Sequence, residues 1–211
     1  MIMLLFGGQY VVFLLLLIAL IISLSFHEYG HALVAKWYGD DTAERMGRLT
    51  VNPLAHIDPV GLAMVVFVGF GFAKPVPVNP QKFRSPSAEL WVAAAGPGMN
   101  LILAFVTWNA FLYARMNGVD NEGLTIFCVL LAQINLLLML FNLIPIGPLD
   151  GHYILPHLLP TELAHRYRRL NDRYGIRILL GLLLLSLIGV PVFQYLSSLA
   201  MQMLEWISLF G

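Results

Sequence analysis

Tyr10–His31 reads YVVFLLLLIALIISLSFHEYGH, an apolar run that ends in ionisable side chains. No charge interrupts it between Tyr10 and Phe26, and Val11–Ile22 is almost wholly Val, Leu, Ile and Phe. A bilayer core of ~30 Å needs about 20 helical residues, so the run reads as a membrane span. A helix continuing out of it carries His27 and His31 on one face, one turn apart. Two imidazoles so spaced can share a Zn²⁺ ion, and Glu28 between them can reach a water on that ion. Ionisable groups at the edge of a hydrocarbon layer are costly without partners. A plain charge cluster at a helix end on the membrane surface is the weaker reading, because chance rarely leaves His-Glu-His there.

Composition agrees with that reading. Of 211 residues, 59% are hydrophobic and 11% charged, against about 25% charged in soluble domains. The expected fold is an all-α polytopic membrane protein. Its length gives room for about five or six spans and no separate soluble domain of ordinary size. With a formal net charge of zero, nothing draws the chain to nucleic acid. The single cysteine, Cys128, lies in an apolar segment and reads as core. No basic region precedes the first apolar run, which is longer than that of a signal peptide, so it reads as a retained span.

Apolar segments fall at about Gly8–Tyr38, Val60–Phe72, Trp91–Tyr113, Gly123–Ile144, Ile176–Leu196 and Leu199–Phe210. The second is too short and Gly-rich to cross as a helix, and Pro75, Val76 and Pro77 come after it. A re-entrant or β-like edge element is expected there, packed on protein or lining a cavity. The last segment is short and holds Gln202 and Glu205, with Pro191 marking a break before it. If the second segment does not cross, eleven of the twelve basic residues fall on one side, Arg115 being the exception. The positive-inside rule makes that side cytoplasmic, with the N-terminus outside.

A catalytic zinc site usually has three protein ligands. Depth restricts the third to the same end of another span. The fourth segment runs into Pro145 and Pro148, which stop a helix, and Asp150 lies just beyond at the right level. Asp150-Gly151 also suits a simple tight turn. Glu162 and Asp172 sit among arginines and read as surface pairs, Glu89 as a helix cap, and Glu205 as lying at the wrong depth. His56 is open between a group behind the ligands, a fourth ligand and a loop histidine. His152 is ambiguous, while His157 and His165 read as surface residues.

The pair His27-Glu28-Tyr29-Gly30-His31 and Asn142…Pro145…Leu149-Asp150-Gly151 resembles the site-2 protease family of intramembrane zinc metalloproteases. The intervening stretches 47–59, 73–80 and 95–101 (Ala95-Gly96-Pro97-Gly98-Met99-Asn100-Leu101) resemble it too, so the likeness covers about residues 20–155. It implies zinc as cofactor, His27, His31 and Asp150 as its ligands, and Glu28 as catalytic base. Asn100 and Asn142 match polar positions near the family's site. Gly147 departs from a proline often found there, and His152 comes directly after the Asp-Gly pair. The PDZ or CBS domains of many relatives have no room here.

The expectation is one integral membrane protease domain over 1–211, with a metal-binding core at about 10–155 and membrane segments at 176–210. It would hydrolyse peptide bonds in or near transmembrane segments of membrane proteins, as in regulated intramembrane proteolysis. Glu28 would take a proton from the attacking water and pass it to the departing amine. Asn100 or Asn142 would hydrogen-bond the oxyanion or position substrate; alternatively Asn100 joins helices and Asn142 satisfies carbonyls freed by Pro145. The expected location is the plasma membrane, with the active site near the cytoplasmic face. Competing readings are another membrane HExxH protease, for quality control or prenyl-protein processing, and a membrane metal or ion transporter. A non-catalytic metal scaffold is a third, disfavoured by Glu28.

Overall fold

The computed structural model describes residues 1–68 and 71–210, and within these the regular structure is entirely helical. In order come α1 (Ile2–Phe6), α2 (Tyr10–Trp37), α3 (Thr42–Arg45), α4 (Pro53–His56) and α5 (Pro59–Val68). A single 3₁₀ turn at Pro80–Lys82 precedes α6 (Ala88–Met116), α7 (Glu122–Asn142), α8 (Asp150–Leu158), α9 (Thr161–Leu187) and α10 (Val192–Trp206).

Among the described residues three helices, α2, α6 and α7, are long and apolar enough to cross a bilayer. They pack together as the centre of the molecule. Their sidedness is that of an integral membrane protein. The buried face of α2 is small or polar (Ala19, Ser23, Ser25, His27, Glu28, Gly30, Ala32 and Ala35), while Val11 and Leu14 on its outside are more than half exposed. Lipid provides no hydrophobic drive between helices, so close packing of small residues and interhelical hydrogen bonds hold such bundles. Gly30 meets α6 so closely that a Cβ there would lie 2.7 Å from the carbonyl oxygen of Ala95. Helix α10 covers α6 and α7 through Ala104, Ala132, Leu136, Met139, Ala200 and Leu204.

The C-terminal apolar segments divide differently from the sequence expectation. Helix α9 begins at Thr161 and ends at Leu187, and the chain breaks at Gly189 (φ 107°) and Pro191 before α10. The break at Pro191 is as expected, but it falls inside the stretch 176–196 read as one segment. The basic first half of α9 is helical because Arg, Leu, Ala and Glu form helices as readily as apolar residues do.

The β-like element is also different. Among the described residues there is no strand: Pro59–Val68 is a helix, and residues 71–79 form neither helix nor ladder. Pro75 and Pro77 carry no N–H, which removes the donors from one edge of this stretch, and the donors of the other edge at Lys74 and Val76 go to His56 and Glu28. This stretch is instead a strap fastened at separate points. Lys74 N–H donates to the carbonyl of His56 (2.8 Å), Arg48 Nη2 to the carbonyl of Lys74 (2.6 Å), and Asn79 N–H to Asp40 Oδ2 (2.6 Å).

Candidate metal centre

The last turns of α2 carry His27 and His31, and Asp150 is the first residue of α8. Helix α7 ends at Asn142, and the loop through Pro145, Gly147 and Pro148 turns the chain so that Asp150 returns to α2. Gly147 has φ 64°, and Gly175 and Leu179 of α9 pack against it. His27 Nε2 lies 3.1 Å from His31 Nε2 and 3.2 Å from Asp150 Oδ2, and His31 Nε2 lies 3.4 Å from Asp150 Oδ1. These three side chains converge as a group able to hold one metal ion.

The other ring nitrogens fix what the Nε2 atoms can do. His31 Nδ1 lies 2.7 Å from the carbonyl oxygen of Val92, which can only accept, so Nδ1 carries the proton. His27 Nδ1 lies 2.6 Å from Asn100 Oδ1. The Asn100 amide is oriented by the carbonyl of Ser23, 3.3 Å from Nδ2, so its oxygen faces His27 and His27 Nδ1 donates. In the neutral rings both Nε2 atoms are therefore bare lone pairs. They face each other and a carboxylate whose Oδ2 is buried without a hydrogen-bond partner. Two imidazole lone pairs and a carboxylate at this spacing repel unless a cation lies between them. This donor set, nitrogen and oxygen with its second ring nitrogens tied back, fits zinc.

Close packing leaves room for the rings and little else. A Cβ on Gly96 would run into His31 Nε2 and His27 Cε1. Glu28 is buried beside the pair, and its Oε2 accepts a hydrogen bond from Val76 N–H at 2.8 Å, so the strap lies over the site.

The Asn100 amide is committed within the protein. Both N–H groups are engaged, with Asn135 Oδ1 at 2.8 Å and the Ser23 carbonyl at 3.3 Å. Asn135 in turn donates to Ser23 Oγ (2.8 Å) and to the carbonyl of Leu131 (2.7 Å). All three side chains are inaccessible to solvent. Asn142 donates to the carbonyl of Leu138 in its own helix at 3.0 Å, and no contact ties it to the His-Asp group. His56 is buried away from that group, its Nε2 2.7 Å from the carbonyl of Thr50 and its Nδ1 3.5 Å from Arg48 Nη2. Glu89 joins three helices, pairing with Arg168 Nη2 (2.7 Å) and His157 Nε2 (3.0 Å). Sequence reasoning missed Asn135, Ser23 and the Val92 carbonyl. Amides at Gln133 and Asn135 inside the apolar run of α7 were the available signal for Asn135.

A family model for Peptidase family M50 matches residues 15–119 and 114–186, a span that holds the whole of this group. The chain belongs to that family. The resemblance to site-2 proteases carried by the His27–His31 and Asp150 motifs is thereby borne out. Among family relatives, the Bacillus subtilis protein named "Putative zinc metalloprotease YwhC" is 41% identical over 173 residues, covering 79% of this chain and 78% of that protein. The Mycolicibacterium smegmatis protein of the same description, Rip2, is 32% identical over 71% of this chain and 59% of its own length. "Zinc metalloprotease MJ0392" of Methanocaldococcus jannaschii is 26% identical over 87% of this chain and 46% of its own. No solved structure matches.

Proposed function

We propose that this M50 member is a zinc-dependent endopeptidase of the membrane, hydrolysing peptide bonds in or near transmembrane segments of membrane proteins. The observation that carries the reading is the convergence of His27 Nε2, His31 Nε2 and Asp150 within 3.4 Å contacts, next to Glu28, at the end of a membrane-spanning helix. The zinc-metalloprotease names of the relatives support the same ion here.

His27, His31 and Asp150 would hold the zinc. Once bound, zinc supplies a nucleophile at neutral pH and polarises the scissile carbonyl. Glu28 accepts the proton of the attacking water and delivers it to the leaving amine. The Val76 N–H holds one Glu28 oxygen, so the other is the one directed to proton transfer. Asn100 keeps His27 in the tautomer that offers Nε2, a role distinct from binding an oxyanion. Residues 10–155 form the catalytic core and 176–210 the surrounding membrane segments of one domain. On this reading the substrates are transmembrane proteins. The basic side of the bilayer is the cytoplasmic side of the plasma membrane, and cleavage releases a product there.

The test is purification with metal analysis and assay on single-span membrane proteins, wild type against Glu28→Gln. Zinc near one per chain in both proteins, with cleavage only by wild type, is expected. Cleavage by Glu28→Gln at the wild-type rate would remove Glu28 as the base.

A further inference from the structure

Helix α9 has two faces of different kinds. One clamps the loop that presents Asp150. Tyr167 Oη donates to the carbonyl of Pro145 (2.9 Å), Asn171 Oδ1 accepts from Gly147 N–H (2.9 Å), and Asn171 Nδ2 donates to the Gly147 carbonyl (3.1 Å). Buried Gly175 and Leu179 continue this face beneath Gly147.

The opposite face carries Arg166, Arg169, Arg173 and Arg177, all exposed. At 100° per residue they fall within about 80° of one another around the helix. Glu162 lies 3.8 Å from Arg166 at the outer end of the stripe. Among the described residues no carboxylate pairs with Arg169, Arg173 or Arg177, and the Arg173 guanidinium rests over the neighbouring Tyr174 ring. Farther along the same face come Leu180 (54% exposed) and Leu184 (61% exposed). One face of one helix thus passes from guanidinium groups to uncovered leucines. That is the order in which a phospholipid presents its phosphate and its acyl chains.

We propose that this stripe binds anionic phospholipid headgroups of the surrounding bilayer, and that the contact holds α9 against the Gly147 loop. The planar guanidinium pairs bidentately with phosphate oxygens. A zwitterionic headgroup offers the same phosphate with its charge cancelled, so selection favours the anionic lipid. Leucines on the same face argue for lipid over an acidic soluble protein, because such a protein would leave Leu180 and Leu184 uncovered. Asn171 lies between Arg169 and Arg173 in sequence, so the lipid phosphate and the Gly147 loop grip the helix at one level.

The full chain, reconstituted in phosphatidylcholine vesicles, is probed with spin-labelled phosphatidylglycerol and spin-labelled phosphatidylcholine. Wild type is expected to immobilise phosphatidylglycerol about fivefold more strongly. Arg173→Gln/Arg177→Gln should abolish the preference. A control with the same charge change, Arg45→Gln/Arg115→Gln, should keep it, while Arg173→Lys/Arg177→Lys, which retains the charge but loses the bidentate fork, should keep only part of it. Hydrogen exchange of the Gly147 amide should be slower in vesicles containing phosphatidylglycerol, for wild type but not for Arg173→Gln/Arg177→Gln. Neither readout requires zinc or proteolysis. Equal immobilisation of the two lipids by wild type, or an unchanged preference in Arg173→Gln/Arg177→Gln, overturns the lipid site. Gly147 exchange indifferent to phosphatidylglycerol overturns the coupling.

Discussion

The backbone N–H of Val76 donates to Glu28 Oε2 across 2.8 Å, so an irregular strap is tied to the buried carboxylate beside the His27–His31 pair. The strap's outer anchor is Asp40, inaccessible to solvent, which accepts from Asn79 N–H, Thr42 N–H and the Thr42 hydroxyl. Burial pushes the Asp40 carboxyl up, but these donors together with Lys82 hold it below the ordinary carboxylate value. A carboxyl lowered on folding stabilises fully above its unfolded pKa of about 4, and the benefit disappears as pH falls through the lower folded value. Wild type should therefore exceed Asp40→Asn in thermal stability by about 1–3 kcal/mol at neutral pH. The gap should close only well below pH ~4. Melting curves of both proteins across that range check it; a gap independent of pH would remove Asp40 as the titrating anchor.

Gly96 and Gly98 lie two residues apart in α6, but only one faces the imidazoles. A methyl at Gly98 meets nothing within 4 Å, whereas one at Gly96 runs into the His31 and His27 rings. Gly96→Ala should lose zinc and proteolysis. Gly98→Ala should keep both and gain up to about 1 kcal/mol from helix propensity. Metal analysis of the purified pair is the measurement.

Asn135→Leu removes one of the two acceptors of the Asn100 amide and the donor to the Ser23 hydroxyl, loosening the side chain that holds His27 Nδ1. Loss of such outer hydrogen bonds commonly weakens metal binding about 10–100-fold. Competition with a calibrated chelator should show that loss in a protein whose helix content is unchanged. Wild-type zinc affinity in Asn135→Leu would reduce the network to interhelical packing.

Orientation is open to direct labelling. In a Cys128→Ala background, Met46→Cys and His165→Cys should resist an impermeant thiol reagent added from outside, and Asp120→Cys should react. Opposite behaviour of Met46→Cys and His165→Cys would mean that the stretch around α5 crosses the bilayer.

His27, Glu28 and His31 were legible because helix periodicity alone places the two imidazoles together, and Asp150 because two prolines stop a span at the matching depth. The spans α2, α6 and α7 were legible from length and hydropathy. The features that escaped notice depend on which helix faces which. Asn135 reaches Asn100 and Ser23, which are distant in sequence, and neither spacing nor composition pairs residues across helices. Asn100 was read from sequence either as a donor to the oxyanion or as a joint between helices; its bond to Asn135 fits the second, and only the fold brings His27 Nδ1 to its oxygen. The segment after α5 looked β-like from its valines. The prolines among them strip the donors from one edge, and tethers to His56, Arg48, Asp40 and Glu28 take up the remaining backbone groups in place of a ladder.

His27 and His31 close one helix and Asp150 opens another, with over a hundred residues of chain between them. An ion shared by all three is therefore a cross-link as well as a reagent. By analogy with a disulfide closing a loop of that length, it restrains the chain by roughly 4–5 kcal/mol. Chelation would then release Asp150 from the His27–His31 pair, leaving α8 held by α6 and α9, while silencing the enzyme. Inactivation by a chelator and susceptibility to nicking in the Pro145–Pro148 loop should share one dose curve.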